Sequence, residues 1–406
     1  MTGRDDMGNT SLAGNIPDGN TFLAGNIPDG YPGHCEVVPS ELTILTTSEC
    51  DAKCAHCLMR SSPERDDTLT LEQIIESVET AHAANPLLTV VFAGGEPTLL
   101  GDSLLDAIAH VASLGIRTRL VTNATWAPTL EQAREYVTVF REAGLDEINF
   151  SADDFHLPFI PLGNVINAWR ACKGAGFESV VIALASGPRS KITPAIMMAA
   201  LGEEVALTYD ADGNMNPFPP PAADGTNYLI ANNYIYRIGR GRGLRPTYAL
   251  FPDDTRKLNQ PCPWAVRTAA LSAKNHLVAC CGIEAEGNEV LDFGRRADHD
   301  MTSLVAKAND DPLVLAIATL GPSHLMKRAQ QFDPSLEFRP AYTAICEICE
   351  DVTTSQQAVK ALRANVDVIK GDIAAAKIVR LFTDATAGQA GQAGQAGQTK
   401  EEAVAQ

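Results

Sequence analysis

Three cysteines near the start of the chain are the residues best suited to chemistry. Cys50, Cys54 and Cys57 form a C-x3-C-x2-C run. Three thiolates at this spacing can fill three corners of a cubane iron–sulfur cluster and leave its fourth iron without a protein ligand. An open iron can bind a further molecule, so the spacing indicates catalysis more than crosslinking. Zinc is the alternative, but it normally takes four ligands, and His56 is poorly placed as the fourth.

A second motif follows after one predicted helix and one predicted strand. The apolar run 88–92 leads into the turn Gly94-Gly95-Glu96-Pro97. Paired glycines let the backbone approach a ligand closely, proline stiffens the turn, and a carboxylate suits a bound ammonium group. An ordinary strand-to-helix loop is the alternative interpretation of this turn.

Together the two motifs resemble the radical S-adenosylmethionine (SAM) enzymes. The resemblance implies that Cys50, Cys54 and Cys57 hold a [4Fe-4S] cluster whose open iron chelates the amino and carboxylate groups of SAM. It also implies that the turn 94–97 contacts the amino group. His56 stands where the family often has a larger aromatic residue, and an imidazole can still stack on adenine.

The elements around these motifs alternate between strand and helix, which predicts a parallel sheet with right-handed crossovers. The predicted strands are Leu42–Thr46, Leu88–Phe92, Arg117–Val121, Glu147–Phe150, Ser179–Leu184 and Glu204–Thr208. The predicted helices are Leu71–Ala83, Leu99–Leu114, Leu130–Ala143, Val165–Ala175 and Pro194–Leu201. The fold class is therefore α/β, and the resemblance implies the family's partial (β/α)6 barrel, here over residues 41–215.

Polar residues follow two of the predicted strands, where the active sites of parallel barrels lie. Asn123 follows the third strand, and Ser151, Asp153 and His156 follow the fourth. The resemblance implies that Ser151 and Asp153 help to hold the ribose or carboxylate of SAM, and we expect Asn123 to contact the cofactor as well. His156 is a candidate for acid–base work; a loop or packing role is the alternative.

A second cysteine set resembles the SPASM and twitch extensions of radical SAM enzymes. Its members are Cys262, Cys280, Cys281, Cys346 and Cys349. Asn275 stands where that pattern has glycine, and Ser355 stands where it has a further cysteine. We therefore expect one auxiliary [4Fe-4S] cluster on Cys262, Cys280, Cys346 and Cys349, with Cys281 as a spare or substitute ligand. A zinc ribbon on the same thiolates is the alternative.

The remaining segments complete the predicted domain organisation. Residues 1–40 are expected to be a flexible extension with an 11-residue tandem repeat, Asn9–Gly19 and Asn20–Gly30. Residues 216–260 are predicted as a linker with a basic stretch, Gly239–Arg245, that either grips a substrate carboxylate or is solvated. Residues 261–352 form the auxiliary-cluster domain, and residues 353–406 a helix and a disordered Ala-Gly-Gln tail. The repeat is interpreted as a local duplication or as a recognition segment.

Composition limits the classes of function. The formal net charge of −18 disfavours nucleic acid, whose phosphates would be repelled. The sequence has no apolar run of about 18 residues and no signal pattern, so we expect no membrane span and a cytoplasmic protein. The ten cysteines are clustered, which indicates metal binding rather than disulfides.

The resemblance predicts an enzyme. A flavodoxin or ferredoxin reduces the first cluster, SAM is cleaved to methionine and a 5′-deoxyadenosyl radical, and the radical abstracts hydrogen from a substrate C–H bond. Peptide or protein modification in natural-product maturation is the expected outcome, with a separate leader-recognition protein because residues 1–40 are too few for a leader-binding domain. A small-molecule substrate (sugar, alcohol or amino acid) is the alternative, and a non-catalytic zinc or iron–sulfur protein is the second alternative.

Overall fold

One ten-stranded sheet runs through the computed structural model, which describes residues 38–210 and 215–379. The strands are β1 Glu41–Leu45, β2 Thr89–Ala93, β3 Arg117–Thr122, β4 Glu147–Ser151, β5 Ser179–Ser186, β6 Ala206–Leu207, β7 Asn227–Tyr234, β8 Thr268–Leu271, β9 His276–Val278 and β10 Asp292–Arg295. The predicted N-terminal repeat and the Ala-Gly-Gln tail lie outside the described residues.

The strand order places the predicted barrel strands side by side. From one edge to the other it is β10-β9-β8-β1-β2-β3-β4-β5-β7-β6. All neighbours from β8 to β6 pair in parallel, whereas β9 pairs in antiparallel fashion with both β8 and β10. The two edges are different strands, so the sheet formed by the described residues is open. This confirms an α/β fold with a partial barrel.

Helices connect the parallel strands and cover the sheet. They are α1 Leu71–Ala84, α2 Asp102–Ser113, α3 Leu130–Glu142, α4 Leu162–Cys172, α5 Pro194–Leu201, α6 Met301–Asp310, α7 Pro312–Thr319, α8 Pro322–Phe332, α9 Ile345–Thr354 and α10 Gln356–Ala364, and residues 366–379 are also helical. All five helices predicted for the barrel are present. The start of α1 shows why: Thr70 and Gln73 form a capping box, and Ile74 and Val78 face the core. No helix within the described ranges is long and apolar enough to cross a membrane.

The sixth barrel strand differs from the prediction. β7 pairs with β5 over eight residues, while β6 has two residues and pairs with the outer side of β7. β7 lies within the segment 216–260, so the linker interpretation does not hold for Asn227–Tyr234. Three asparagines interrupt its apolar pattern, and a proline-rich segment precedes it, so local periodicity gives little indication of a strand. Pairing with β5 stabilises it.

The segment predicted as an auxiliary domain continues the barrel sheet. β8 pairs in parallel with β1, and the β8–β9 hairpin turns at Asn275, which has a φ of +65°. This left-handed backbone is the reason that asparagine can replace glycine there. The same segment then supplies α6–α9, with Cys346 and Cys349 on α9. The sequence pattern did not predict α6, α7, α8 or α9.

A buried ionic triad stabilises the interior of the sheet near the amino ends of the strands. Arg119 on β3 lies between Glu41 and Glu147, the first residues of β1 and β4. Arg119 Nη1 is 3.3 Å from Glu41 Oε2, and Arg119 Nε is 2.7 Å from Glu147 Oε1. One guanidinium thus forms ion pairs with two buried carboxylates. Burial raises the pKa of Glu41 to about 7, and the charge of Arg119 opposes this effect.

Candidate active site

The cysteine loop, residues 50–57, opens into a cavity at the carboxyl ends of the parallel strands. It follows β1, and its three cysteines are unpaired thiols. All three line one cavity of about 270 Å³. The ends of five neighbouring strands also line it, through Ala93, Thr122, Ser151, Ala185 and Tyr234. The structure therefore brings the cysteine loop and the strand-end residues together.

Gly94 and Gly95 let the end of β2 lie directly against the start of the cysteine loop. Gly95 N donates to Thr47 O at 2.6 Å, and Glu96 N donates to Glu49 O at 2.9 Å. A Cβ on Gly95 would lie 1.6 Å from Glu49 O, and one on Gly94, whose φ is +131°, would lie 2.6 Å from Thr47 O. No larger residue fits at either position, because backbone atoms occupy the space.

We expect Gly95→Ala to disrupt the cysteine loop, because the added methyl group displaces Glu49, the residue before Cys50. Iron bound after anaerobic reconstitution should fall, by up to about half if two clusters are present. Gly163→Ala is the matched control, because a Cβ added there would meet no neighbouring atom within 4 Å. Alanine in α4 should change the free energy of unfolding by no more than about 1 kcal/mol. A Gly95→Ala protein with full iron content and an unaltered circular-dichroism melt would contradict this steric account.

Glu96 does not face the cavity. Its side chain is 1% exposed and accepts hydrogen bonds from Thr98 Oγ1 at 2.6 Å, Thr122 Oγ1 at 2.7 Å and Asn123 N at 2.8 Å. Pro97 begins a short 3₁₀ helix, and it does not line the cavity either. The carboxylate thus joins the ends of β2 and β3, which differs from the predicted contact with the cofactor. Only Gly94 and Gly95 of the predicted turn reach the cavity.

Asp153 holds two histidines at the wall of the cavity. Asp153 Oδ2 is 2.9 Å from His56 Nε2, and Asp153 Oδ1 is 2.9 Å from His156 Nδ1. The carboxylate is 2% exposed and also accepts from the backbone N–H of Phe155 and of His156. All three members of the His56–Asp153–His156 cluster line the cavity. Sequence analysis selected these residues but did not predict that they contact one another.

The charges within this cluster shift the pKa values of Asp153 and His156. Burial opposes ionisation of Asp153, but the charges of His156 and His56 outweigh it and hold the pKa of Asp153 well below its usual range. Burial likewise disfavours charged His156, but Asp153 raises its pKa well above the ordinary value, and a hydrogen bond to Cys54 acts in the same direction. Asp153 therefore favours the protonated form of His156, which lies beside the cysteine loop.

His56 and Asn123 provide further polar contacts at this wall. One face of His56 stacks on Phe155, with ring centroids 4.7 Å apart. His56 Nδ1 is buried and has no hydrogen-bond partner within the described ranges, so it is available to a bound molecule. Asn123 Nδ2 lies 3.8 Å from Cys50 Sγ, and Asn123 and Ser151 both line the cavity.

The second cysteine set divides into a group of four and one separate thiol. The auxiliary quartet consists of Cys262, Cys280, Cys346 and Cys349. Burial raises the pKa of the Cys280 thiol to about 11, and negative charge on Cys262 adds to the effect. Burial also holds the pKa of Cys349 well above its usual range, with further contributions from the other three thiols. In both cases the charges of other thiols in the quartet act in the same direction as burial.

Cys281 belongs to a different environment. It lines the cavity of the cysteine loop and interacts with Thr43 and Glu41 inside the barrel. Cys281 lines this cavity, whereas its neighbour Cys280 does not. The predicted role of Cys281 as a spare or substitute ligand stays a prediction, and the structure shows in addition that this residue lines the cavity.

The arrangement of the thiols bears on which metal centre fits. Three thiolates around one tetrahedral zinc ion lie about 3.8 Å apart, from a Zn–S distance of about 2.3 Å. Among residues 38–210 and 215–379, the only three potential ligand atoms within 4.8 Å of one another belong to His56, Asp153 and His156. The three thiols of the cysteine loop supply the thiolate ligands that a [4Fe-4S] cluster takes.

Comparison with known proteins shows which families part of the chain is similar to. Residues 44–189 match the model of the Radical SAM superfamily. "Putative peptide biosynthesis protein YydG" of Bacillus subtilis (strain 168) is 28% identical over 127 residues, which cover 31% of this chain and 40% of that protein. "GTP 3',8-cyclase" of Synechococcus elongatus is 33% identical over 116 residues, which cover 28% of this chain and 33% of that protein. The chain thus spans less than half the length of either relative.

Solved structures of similar architecture are more distant. anSMEcpe with bound AdoMet has a TM-score of 0.43 at 13% identity, covering 82% of this chain and 100% of that chain. Streptococcus suis SuiB bound to precursor peptide SuiA has a TM-score of 0.41 at 14% identity, covering 77% and 76%. No function follows from likeness at this level. The family match includes the cysteine loop and the ends of β2 to β5, which line the cavity, so residues 44–189 are similar to the radical SAM superfamily.

Proposed function

We propose that this protein is a radical SAM enzyme. One observation carries the proposal: Cys50, Cys54 and Cys57 share a single cavity with the polar residues at the ends of the parallel strands. Three thiols on one loop suit a [4Fe-4S] cluster whose fourth iron is open to a ligand. Gly94 and Gly95 hold the loop against β2, and the buried Nδ1 of His56 supplies an unpaired polar atom, within the described ranges, for a ligand.

The residues of the chain position and shield this chemistry. Cys50, Cys54 and Cys57 would hold the [4Fe-4S] cluster, which, with a flavodoxin- or ferredoxin-type protein as reductant, would supply the electron for cleavage of SAM to methionine and a 5′-deoxyadenosyl radical able to take hydrogen from a substrate C–H bond. Ser151 and Asn123 offer hydrogen bonds to SAM, and Asp153 orients His56 and His156. Leu184 and other apolar wall residues exclude water.

The auxiliary quartet is proposed to hold a second [4Fe-4S] cluster. Its four buried or half-buried thiols satisfy the requirement for four thiolate ligands. A second centre can accept an electron from a substrate or bind the substrate directly. The nine described cysteines are free, which suits the reducing cytoplasm as the compartment.

Peptide modification is the substrate class that we propose. A curated relative is described as a putative peptide biosynthesis protein, and the structure of SuiB contains a precursor peptide. A peptide would be delivered by a separate leader-recognition protein or by the N-terminal repeat. A small molecule is the second candidate, favoured by the match to the GTP 3',8-cyclases.

Iron content and SAM cleavage test the proposal together. The anaerobically reconstituted chain should be brown, with about eight irons per chain for two clusters. Dithionite and SAM should then yield 5′-deoxyadenosine. A colourless protein containing zinc would contradict the enzyme and leave the non-catalytic metal protein as the function.

For the substrate class, short peptides encoded beside the gene are co-expressed with the chain. A mass change in the peptide that requires Cys50, Cys54 and Cys57 identifies it as the substrate.

A further inference from the structure

The bridging loop, Gly239–Gly243, lies between the cysteine loop and α9. It forms one 3₁₀ turn, and Gly239 and Gly241 are buried. Sequence analysis interpreted this basic stretch as a grip for a substrate carboxylate or as a solvated loop. The structure differs from both interpretations. The side chain of Arg240 donates a hydrogen bond to the cysteine loop, and that of Arg242 donates one to α9.

Arg240 binds the backbone of the cysteine loop at three points. Its Nη1 donates to Cys54 O at 2.7 Å, and its Nη2 donates to Ser61 O at 2.7 Å. Its backbone N–H donates to Cys57 O at 2.9 Å. A planar guanidinium can satisfy two carbonyls at once, which a lysine ammonium cannot do with the same geometry. One residue, about 180 positions away in sequence, thus fixes the backbone at two of the three cysteines.

The glycines of the bridging loop make this approach possible. Gly239 has a φ of +56°, and a Cβ there would lie 2.1 Å from Leu58 O. A Cβ on Gly241 would lie 2.7 Å from Tyr236 O and 3.3 Å from His56 O. The alternating glycines therefore bring the backbone of the bridging loop into direct contact with residues 56–58.

Carboxylates on α9 hold the opposite side of the bridging loop. Glu350 Oε1 accepts from Gly239 N at 2.9 Å, and Glu350 Oε2 lies 3.2 Å from Arg242 Nη1. Glu347 is fully buried, and its Oε1 accepts from Arg237 N at 2.7 Å. Glu350 directly follows Cys349, and Glu347 directly follows Cys346. Each of the two glutamates that hold the bridging loop therefore directly follows a cysteine of the auxiliary quartet in the sequence.

We propose that the bridging loop couples the two cysteine sites, and that Arg240 is a positioning residue for the cluster site of the cysteine loop. This inference rests on the proposed assignment of a cluster to Cys50, Cys54 and Cys57. Two hydrogen bonds separate the sites: Glu350 to Gly239, and Arg240 to Cys57. A shift of α9 on loss of metal from the auxiliary quartet therefore moves the groups that hold Cys54 and Cys57.

Electron paramagnetic resonance of the full-length, reconstituted and dithionite-reduced chain tests Arg240. The change in the spectrum on adding SAM reports the cluster with the open iron. Arg240→Ala should decrease this SAM-responsive signal at least several-fold and lower total iron, by up to about half. Arg240→Lys should recover part of the signal, because an ammonium reaches only one carbonyl. Arg245→Ala is the matched control, since Arg245 is exposed and its side chain has no hydrogen bond or ion pair within the described ranges.

Variants of Glu350 test the opposite end of the bridge. Glu350→Ala removes the acceptor for Gly239 N and should alter the SAM-responsive signal, whereas Glu350→Gln keeps an acceptor oxygen and should largely preserve it. An Arg240→Ala chain with the wild-type signal and iron content would overturn the positioning role alone. A Glu350→Ala chain with an unaltered SAM-responsive signal would overturn the coupling. A wild-type chain without any SAM-responsive signal would overturn the cluster assignment, and the bridge with it.

Discussion

Replacing Cys50, Cys54 and Cys57 together by alanine should abolish release of 5′-deoxyadenosine and remove about half of the iron. The three thiols are the protein sulfurs of the proposed SAM-binding cluster, and they share one cavity. The auxiliary quartet lies on separate parts of the chain, namely the segment before β8, the segment after β9, and α9. The cluster proposed for the auxiliary quartet should remain. The alanine substitutions keep the backbone carbonyls of the cysteine loop, so Arg240 can still bind them and the bridging loop stays in place.

The measurement combines iron analysis with chromatography of 5′-deoxyadenosine after addition of dithionite and SAM. Cys172→Ala is the matched control, because Cys172 is a fully buried thiol on α4 that does not line the cavity. It should keep both activity and iron, at a cost of about 1 kcal/mol in stability from the small void. SAM cleavage that survives in the triple variant would show that the cluster assignment is wrong.

Asp153→Ala is expected to weaken SAM binding by about 1.5–3 kcal/mol, which is about 10- to 150-fold in Kd. The carboxylate orients His56 and His156 at the cavity wall and balances the charge of His156. Without it, both imidazoles lose the hydrogen-bond partner that fixes their position at the cavity wall. The iron content should not change, because Asp153 is not a ligand.

A SAM titration followed by electron paramagnetic resonance gives the dissociation constant. Asp153→Asn should be intermediate, since an amide retains the shape but loses the charge. Asp154→Ala is the matched control: Asp154 accepts from Lys191 N and Ile192 N and does not line the cavity. An unaltered Kd for SAM in Asp153→Ala would contradict a role in cofactor binding. Asp153 would then only stabilise its own loop, by accepting hydrogen bonds from the N–H groups of Phe155 and His156.

Local sequence patterns were sufficient to predict much of the barrel. The strands β1 to β5 and the amphipathic helices between them were predicted from the sequence, with the bounds of α4 displaced by three residues. The cysteine loop and Gly94-Gly95 were also evident, because their chemistry depends on residues close together in the chain. The left-handed turn at Asn275 followed from the conformational preference of one residue.

The tertiary structure decided features that depend on distant partners. Strand β7 forms because β5 pairs with it, although its own sequence is polar and interrupted. The orientation of Glu96 depends on Thr122 and Asn123 of the next strand. Cys280 and Cys281 are equivalent in sequence, and only the path of the chain after β9 assigns one to the auxiliary quartet and the other to the cavity. Sequence periodicity indicates which residues favour a helix or a strand. The contact of Arg240 with Cys54, however, joins residues 186 positions apart, and no local pattern encodes such a contact.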